Sequence, residues 1–302
     1  AAPRPGEARV KTLFSGLSRG TERLVAFGQV PQSESARMRA PMQAGEFPFP
    51  VKYGYSATGV VVAGSDEMMG KHVFCLHPHQ DYFHAPETML IPIPDAVPAK
   101  RATLAANMET ALNAHWDAGT GPGDKVLVIG AGIVGLLTAH LAQHIAGSTV
   151  TLTDIDPARA VIAAALGLTF APPAEAPRDV RLVFHTSATA AGLQSAIDAA
   201  AFEGRIIDMS WYGNAPVTLQ LGGAFHSKRL QLVASQVGHV APSRRATTTH
   251  RQRLIQALAL LADPGLDRLV SSEIAFGELP AQMPLLLGPS GAALPPVIRY
   301  PD

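Results

Sequence analysis

Apolar positions along the chain follow two rhythms, and the rhythm changes near residue 107. Up to about residue 106 the apolar residues form short runs, such as Ala8–Phe14 and Gly59–Ala63, broken by glycine and proline. Few long helical periods occur there, so the pattern predicts an irregular, mostly β domain over 1–106. From 107 to 239, apolar runs alternate with helical spacing. Strands are predicted at Val126–Ile129, Val150–Thr153, Val180–Phe184, Arg205–Met209 and Leu230–Ala234, and helices at Ile133–Ile145, Ala158–Leu166 and Ala190–Ala201. Such alternation implies right-handed β-α-β units on a doubly wound parallel sheet, an α/β fold. Beyond Gly238 come a basic loop, an apolar helix at Leu254–Leu261 and a β-like tail reaching Tyr300. Residues 240–302 are therefore expected to return to the first domain.

One turn in the central region carries chemistry. The strand at Val126–Ile129 enters Gly130-Ala131-Gly132-Ile133-Val134-Gly135, which fits G-x-G-x-x-G and opens a helix. In that pattern the first glycine allows the tight turn, the second lets backbone approach a pyrophosphate, and the third lets helix and strand pack closely. Free N–H groups at the helix start, with the partial positive charge there, suit an anion. The next strand ends at Asp154, followed by Ile155. Asp154 lies 19 residues beyond Gly135, where an acid that binds a ribose belongs. A carboxylate there favours NAD over NADP, although Arg159, five residues on, offers a charge that a 2′-phosphate would attract. The predicted strand ends Thr186-Ser187, Ser210-Trp211 and Ser235-Gln236 lie where open α/β sheets hold ligands.

Composition narrows the class. At 302 residues the chain suggests about two domains, and with 47% apolar residues it can bury a sizeable core. A formal net charge of zero gives no electrostatic case for nucleic acid or an anionic membrane as partner. The single cysteine, Cys75, excludes an internal disulfide framework and a four-cysteine zinc lobe, and fits a reducing compartment. The most membrane-like stretch, Val126–Ala139, is too short to span a bilayer. The opening AAPRPGEARV has no basic-then-apolar signal pattern and no initiator methionine, which leaves room for sequence upstream. A cytoplasmic protein is expected.

The segments SGLSRGTE (Ser15 to Glu22), PVKYGYSATGVVVAGS (Pro50 to Ser65) and PGDKVLVIGAGIVG, in this order, resemble the medium-chain dehydrogenase/reductase superfamily over nearly the whole chain. They correspond to the family's SGxCGTD and GHExxGxVxxVG segments and its dinucleotide turn. The SGxSxGTE form is similar to bacteriochlorophyllide dehydrogenase-like and threonine dehydrogenase-like members. The resemblance implies a GroES-like catalytic domain, a Rossmann domain, a small-molecule carbonyl or alcohol substrate and a homodimer. It also implies that the three strand ends named above reach the nicotinamide half of the cofactor.

The departures from the family pattern concern zinc. Zinc-using members hold the metal through a cysteine, the His of GHE and a further Cys or Glu. Here Ser18 stands near the cysteine position, Tyr55 replaces the His and Ser56 its Glu, while Glu109 matches the acidic ligand of sorbitol-dehydrogenase-like members. Neutral hydroxyls are poor zinc ligands, so catalytic zinc is not expected and no metal residue is assigned. Cys75, His77, His79, Asp81 and His84 form a ligand-rich stretch with two readings, a substitute metal site near Glu109 or a polar turn. A metal lowers the pKa of bound water from ~15.7 to ~7, on the order of 10 kcal/mol, which hydroxyl donors cannot match. Reduction of a carbonyl, with a donor steadying the oxyanion, suits such a site better than alcohol oxidation.

By resemblance Thr21 holds the proton-relay position, Ser18 and Tyr55 face the reacting carbon, and His77 or His79 offers a general acid. The reading is thus an NAD(P)-dependent oxidoreductase for a carbonyl/alcohol pair. The alternatives are a zinc-free quinone or enone reductase and a dinucleotide-binding pseudoenzyme. The basic run Ser243–Arg253 is read as a solvated loop or as an anion-recognition segment.

Overall fold

The computed structural model describes residues 2–288 and 294–301; Ala1 and Asp302 lie outside that range. The chain divides into two units, Ala1–Ala106 with Leu254–Asp302, and Asn107–Arg253. In chain order the first unit contributes strands β1 (Glu7–Ser15), β2 (Ala44–Gly45), β3 (Val51–Lys52), β4 (Ala57–Ala63), β5 (His72–Cys75), β6 (Tyr82–Pro86) and β7 (Ile91–Pro92), with helices α1 (Arg19–Ala26) and α2 (Ala99–Ala102). Helix α3 (Ala105–Ala118) leads into β8 (Lys125–Ile129), α4 (Ile133–Gln143), β9 (Thr149–Thr153), α5 (Arg159–Ala165) and β10 (Thr169–Ala171). Then come β11 (Val180–His185), α6 (Ala190–Ala199), β12 (Ala200–Asp208) and β13 (Gln231–Ala234). Helix α7 (His250–Ala259) carries the chain back to the first unit, which finishes with β14 (Glu273–Ala275), α8 (Leu279–Leu287) and β15 (Val297–Arg299).

In the first unit the sheet runs β14-β15-β1-β4-β5-β7, with β6 also paired to β1. Strand β1 is the organiser, because its register joins Arg9 to His84 on β6, Val10 to Val61 on β4, and Ser15 to Ile298 on β15. Its alternation EARVKTLFS puts Ala8 and Val10 fully inside, as a period of two requires. They pack with Val73, Phe83, Ala85 and Leu90 into one cluster, and Leu17, Leu279, Leu286, Ile298 and Tyr300 form another. Gly59 is dictated by packing, since a Cβ there would strike the Lys11 carbonyl of the neighbouring strand.

In the second unit the sheet order is β10-β9-β8-β11-β12-β13 and every pairing is parallel. Strand β8 reads KVLVI, a continuous apolar run, because a parallel sheet buries both faces of its central strands. Leu127, Val183, Ile197 and Ile206 lie at the centre of its core. The chain goes from β8 outward to β9 and β10, then returns to the other side for β11. The carboxyl ends of β8 and β11 therefore form the switch point at which such sheets leave a crevice.

The structure departs from the expectations in three places. Strand β12 starts at Ala200, not Arg205, and carries extra residues through Glu203 at φ 56° before rejoining β11. The second unit extends to Arg253 where 239 was expected, and the return covers 254–302. Its physical cause is Arg253 itself, whose side chain bonds back to Asn113 and to the carbonyls of Val237 and His239. Helices α1, α3 and α8 had no counterpart in the apolar pattern. Among the described residues no helix is long and apolar enough to cross a membrane.

Candidate functional sites

In the second unit the three glycines separate into two kinds. Gly130 sits at φ 108°, and a Cβ there would press on Thr186 Oγ1 at 2.7 Å and Ser187 N at 2.8 Å. Gly135 has no room either, because a Cβ would collide with the Gly130 carbonyl. The fold requires both. Gly132 is different: it is exposed, it is the N-cap of α4, and a Cβ there would meet nothing within 4 Å. The protein keeps a bare backbone where its own packing asks for none, next to the unpaired first-turn amides of α4, Ile133 and Val134 among them.

Asp154, at the end of β9, closes the other side of this cradle. Its Oδ2 accepts the Ala131 N–H at 2.7 Å and its Oδ1 accepts the Asp156 N–H at 2.9 Å. The two amides hold the carboxylate in place and leave acceptor lone pairs on each oxygen. Ile155 beside it is 88% exposed, an apolar surface with nothing of its own to cover. Arg159 Nε lies 3.3 Å from Asp156 Oδ2, and its Nε and Nη1 are buried without a hydrogen bond. Thr186 Oγ1 donates toward the Gly130 carbonyl at 2.9 Å and so supports the turn. Ser210 Oγ accepts the Ala188 N–H, Trp211 is half-buried, and Gln236 is exposed. Ser235 is committed elsewhere, its hydroxyl donating to Asp117 Oδ2 at 2.7 Å.

In the first unit a polar cluster forms where α1 meets the turns after β3 and β5. Tyr55 Oη donates to Ser18 Oγ at 2.6 Å. Burial pushes the Tyr55 phenol up to about 12, against the lowering effect of hydrogen bonds with Ser18 and Thr21. The Ser18 N–H donates to Glu22 Oε1 at 2.7 Å, and Glu22 Oε2 lies 2.9 Å from His79 Nε2. On the other side of the ring, His79 Nδ1 meets Ser15 Oγ at 2.8 Å, and Ser15 Oγ meets Tyr300 Oη at 2.9 Å. A continuous path of polar contacts thus links Tyr300, Ser15, His79, Glu22 and the start of α1. Gly54, at φ 122°, makes room for it, since a Cβ there would crowd the His79 ring at 3.1 Å. Tyr53 packs edge-on against Tyr55, with ring centroids 5.9 Å apart.

Two expected catalytic residues are reassigned. His77 does not join His79. Its ring stacks on Phe83 at 3.9 Å, its Nδ1 contacts the Pro78 carbonyl at 2.9 Å, and burial pushes its pKa down to about 4. A histidine neutral throughout the physiological range is a poor general acid there. Glu109 lies in the second unit, where its Oε1 accepts the Arg253 Nε–H at 2.9 Å. Both side chains are buried, so this carboxylate serves a structural ion pair and not a ligand position. Burial raises the Glu109 pKa, opposed by the Arg253 charge.

The same pair takes Arg253 out of the basic run Ser243–Arg253, whose residues Ser243–Thr247 and Thr249–Gln252 are exposed as a solvated segment requires. Arg253 is 1% exposed and neither solvated nor available to an anion. Arg244 lies over the Trp116 ring and Arg245 Nε donates to the Val240 carbonyl.

The donors do not fit zinc. Burial pushes the Cys75 thiol up to about 12, away from the thiolate that zinc needs. Both His79 nitrogens are already engaged, and Ser56 Oγ donates to the Thr103 carbonyl. Among the described residues no three of Cys75, His77, His79, Asp81 and His84 converge on one point; His84 belongs to β6, opposite Arg9.

Sequence reasoning missed Glu22, Ser15 and Tyr300. Their partners are distant in sequence, and only the SGLSRGTE segment, which contains Ser15 and Glu22, pointed toward two of them.

No family profile matches the chain. Among curated proteins, it is 34% identical over 88 residues to the L-threonine 3-dehydrogenase of Mesorhizobium japonicum, a match covering 29% of this chain and 25% of that one. The same enzyme of Xanthomonas campestris is 33% identical over 89 residues, covering 30% of this chain and 26% of that one. The chain thus spans about a quarter of the length of the curated relatives it matches. Solved structures extend the likeness to the whole chain. The alcohol dehydrogenase of Thermus sp. ATN1 superposes with a TM-score of 0.76 at 20% identity, covering 100% of this chain and 95% of that one. The 2R,3R-butanediol dehydrogenase of Bacillus subtilis gives 0.74 at 18% identity, covering 100% and 94%. A Sinorhizobium meliloti chain described as a zinc-binding dehydrogenase and solved with NADP gives 0.76 at 19% identity, covering 100% and 94%. With a mixed sheet in one unit and a six-stranded parallel sheet in the other, the chain shares its fold with these solved dehydrogenases.

Proposed function

We propose that the protein is a nicotinamide-dependent oxidoreductase that interconverts a small carbonyl compound and its alcohol, with NAD(H) preferred and without catalytic zinc. The observation that carries this reading is Gly132, a glycine the fold does not need at the start of a helix that begins beside Asp154. Gly130, Gly132, Ile133, Val134 and Gly135 would hold the diphosphate of a dinucleotide, and Asp154 and Ile155 its adenosine side. Once bound, that cofactor supplies or accepts a hydride. The fixed Asp154 carboxylate would repel a 2′-phosphate, which favours NAD. The solved relatives bear on the cofactor class alone, one having been solved with NADP and an Escherichia coli alcohol dehydrogenase with NADH.

The chemical work left to the first unit is the handling of one proton at the substrate oxygen. Tyr55 donates to Ser18 Oγ, which orients the Ser18 hydroxyl hydrogen outward as a donor. Thr21, in contact with Tyr55, steadies the same group. Glu22 accepts the Ser18 amide and the His79 ring, so it fixes the N-cap of α1 and the imidazole together. A preorganised hydroxyl facing a developing oxyanion contributes about 3 kcal/mol. That supports carbonyl reduction, where charge builds on oxygen, over abstraction of an alcohol proton. A second copy of the chain is proposed to pair along the sheet edge at β13, where Leu232 is 40% exposed. The reading is tested by calorimetry with NADH and NADPH, followed by NADH absorbance decay against aldehydes, ketones and enones. Binding of NADH with turnover of a carbonyl supports it; absence of binding by either dinucleotide refutes it.

A further inference from the structure

The strand ends of the second unit hold a group of side chains to which the proposed hydride transfer assigns no chemical step. His185, the last residue of β11, is fully buried, and the parallel register sets it opposite Asp208, the last residue of β12. His185 Nδ1 lies 3.0 Å from Asp208 Oδ1. That oxygen also accepts the Ser210 N–H at 3.1 Å, and Asp208 Oδ2 accepts the Tyr212 hydroxyl at 3.0 Å. Two further donors on the carboxylate keep it an acceptor, so the hydrogen between it and the ring belongs to Nδ1. The lone pair of Nε2 is then directed at one atom, Ser187 Oγ, 2.8 Å away.

The setting of Ser187 fits an exposed nucleophile more closely than a filler of the core. It is half-buried, on the turn from β11 into α6, two residues beyond His185, where residues on an extended chain share a face. Ala188 after it stands at φ 52°, a left-handed conformation that strains a non-glycine residue. The Ala188 N–H is pinned by Ser210 Oγ at 3.1 Å. Gly192 has no side chain because a Cβ there would run into Ser187 Oγ. Thr189, the N-cap of α6, lies with its Oγ1 3.0 Å from Ser187 Oγ and takes the Gly192 N–H. The amides of Ala190 and Ala191 belong to the first turn of α6, where backbone N–H groups have no intrahelical acceptor.

We propose that Ser187, His185 and Asp208 form a nucleophilic triad that accepts acyl groups from activated esters, an activity separate from hydride transfer. Ser187 Oγ bonds to the ester carbonyl carbon and its proton passes to His185 Nε2. The carbon–oxygen bond to the alcohol breaks as His185 returns that proton to the leaving oxygen. Water then attacks the acyl-serine, with the same two proton transfers, and the carboxylic acid leaves. No oxidation state changes. Asp208 holds the ring and stabilises the imidazolium, and Tyr212 holds Asp208.

The test treats the full chain with a fluorophosphonate probe, locates the adduct by peptide mass spectrometry, and follows p-nitrophenyl acetate hydrolysis. Labelling is expected on Ser187. Ser187→Ala, a small change at a half-buried turn, is expected to keep the melting temperature, lose that adduct and lose most of the esterolysis. Asp208→Asn is expected to label at least about a hundredfold more slowly, as a misoriented imidazole requires. An unlabelled Ser187, an unchanged hydrolysis rate in Ser187→Ala, or wild-type labelling in Asp208→Asn each overturns the triad.

Discussion

Glu22 Oε2 lies 2.9 Å from His79 Nε2, with the two side chains 4% and 8% exposed. The other carboxylate oxygen of Glu22 takes the Ser18 amide, so one acid ties a histidine of the β5–β6 turn to the first turn of α1. Removing one partner of such a pair leaves the other buried without compensation. Glu22→Ala is therefore expected to lower stability by about 3 kcal/mol or more in urea unfolding. Glu22→Gln, which keeps both contacts, is expected to lose far less stability while carbonyl reduction falls. If Glu22→Ala melts like the wild type, the pair does not organise the cluster.

Tyr55→Phe tests the group that orients the Ser18 donor. The variant keeps the ring that packs against Tyr53 and loses only the hydroxyl that bonds Ser18. A fall of roughly a hundredfold in kcat is expected, with NADH affinity unchanged in calorimetry, because a misoriented Ser18 donor is lost mainly to the transition state. Equal kcat in the two proteins would remove Tyr55 from the proposed chemistry.

The glycine turn gives a prediction with opposite outcomes at neighbouring positions. Gly135→Ala collides with the Gly130 carbonyl and is expected to destabilise the second unit in a thermal melt. Gly132→Ala meets no atom of the protein and is expected to melt normally. Its dinucleotide affinity should nonetheless fall by at least about tenfold, since a methyl group would stand where the diphosphate approaches. Normal affinity in Gly132→Ala would show that this backbone faces solvent and nothing else.

Acid should destabilise the fold through two histidines. Burial pushes both His77 and His115 down to about 4 from an ordinary value near 6.5. In the folded state they stay neutral while the unfolded chain takes up protons below about pH 6.5. Unfolding therefore binds protons between pH 6.5 and 4, and stability rises with pH across that window. Stability is full above about 6.5, declines as pH falls toward 4, and levels off below, with a total of a few kcal/mol. Neutral His115 donates through Nε2 to the Thr138 carbonyl and accepts at Nδ1 from Thr120 Oγ1, contacts that glutamine can in part replace. His115→Gln is expected to flatten the decline of the melting temperature over that range, and an equally steep decline would exclude it as a source.

What could be read from the chain was what neighbours in sequence decide. Gly130 and Gly135 answer local backbone needs, and Asp154 follows its strand directly, so the cradle was visible as a spacing. The two apolar rhythms marked the strands of the parallel sheet, but a sheet's order is not written in any one strand. The pairing of His185 with Asp208 exists only because β11 and β12 are neighbours in register. Glu22 and His79 are 57 positions apart, and Glu109 and Arg253 are 144 apart. In each case the partner lies far along the chain, so the residue's own sequence neighbours do not point to it. His77 misled because a dense ligand-capable stretch shows residue types and not directions; one ring of VFCLHPHQDYFH stacks on Phe83 while another turns to Glu22.

Strand β1 takes β15 as a partner through Ser15 and Ile298, far apart in sequence, while residues 107–253 between them form a unit of their own. During synthesis on the ribosome the interior unit can therefore close before the flanking one has all of its chain. Until β15 emerges, the Phe14–Ser15 end of β1 presents an unfilled hydrogen-bonding edge, the kind of surface that chaperones cover and that sticks to other nascent chains.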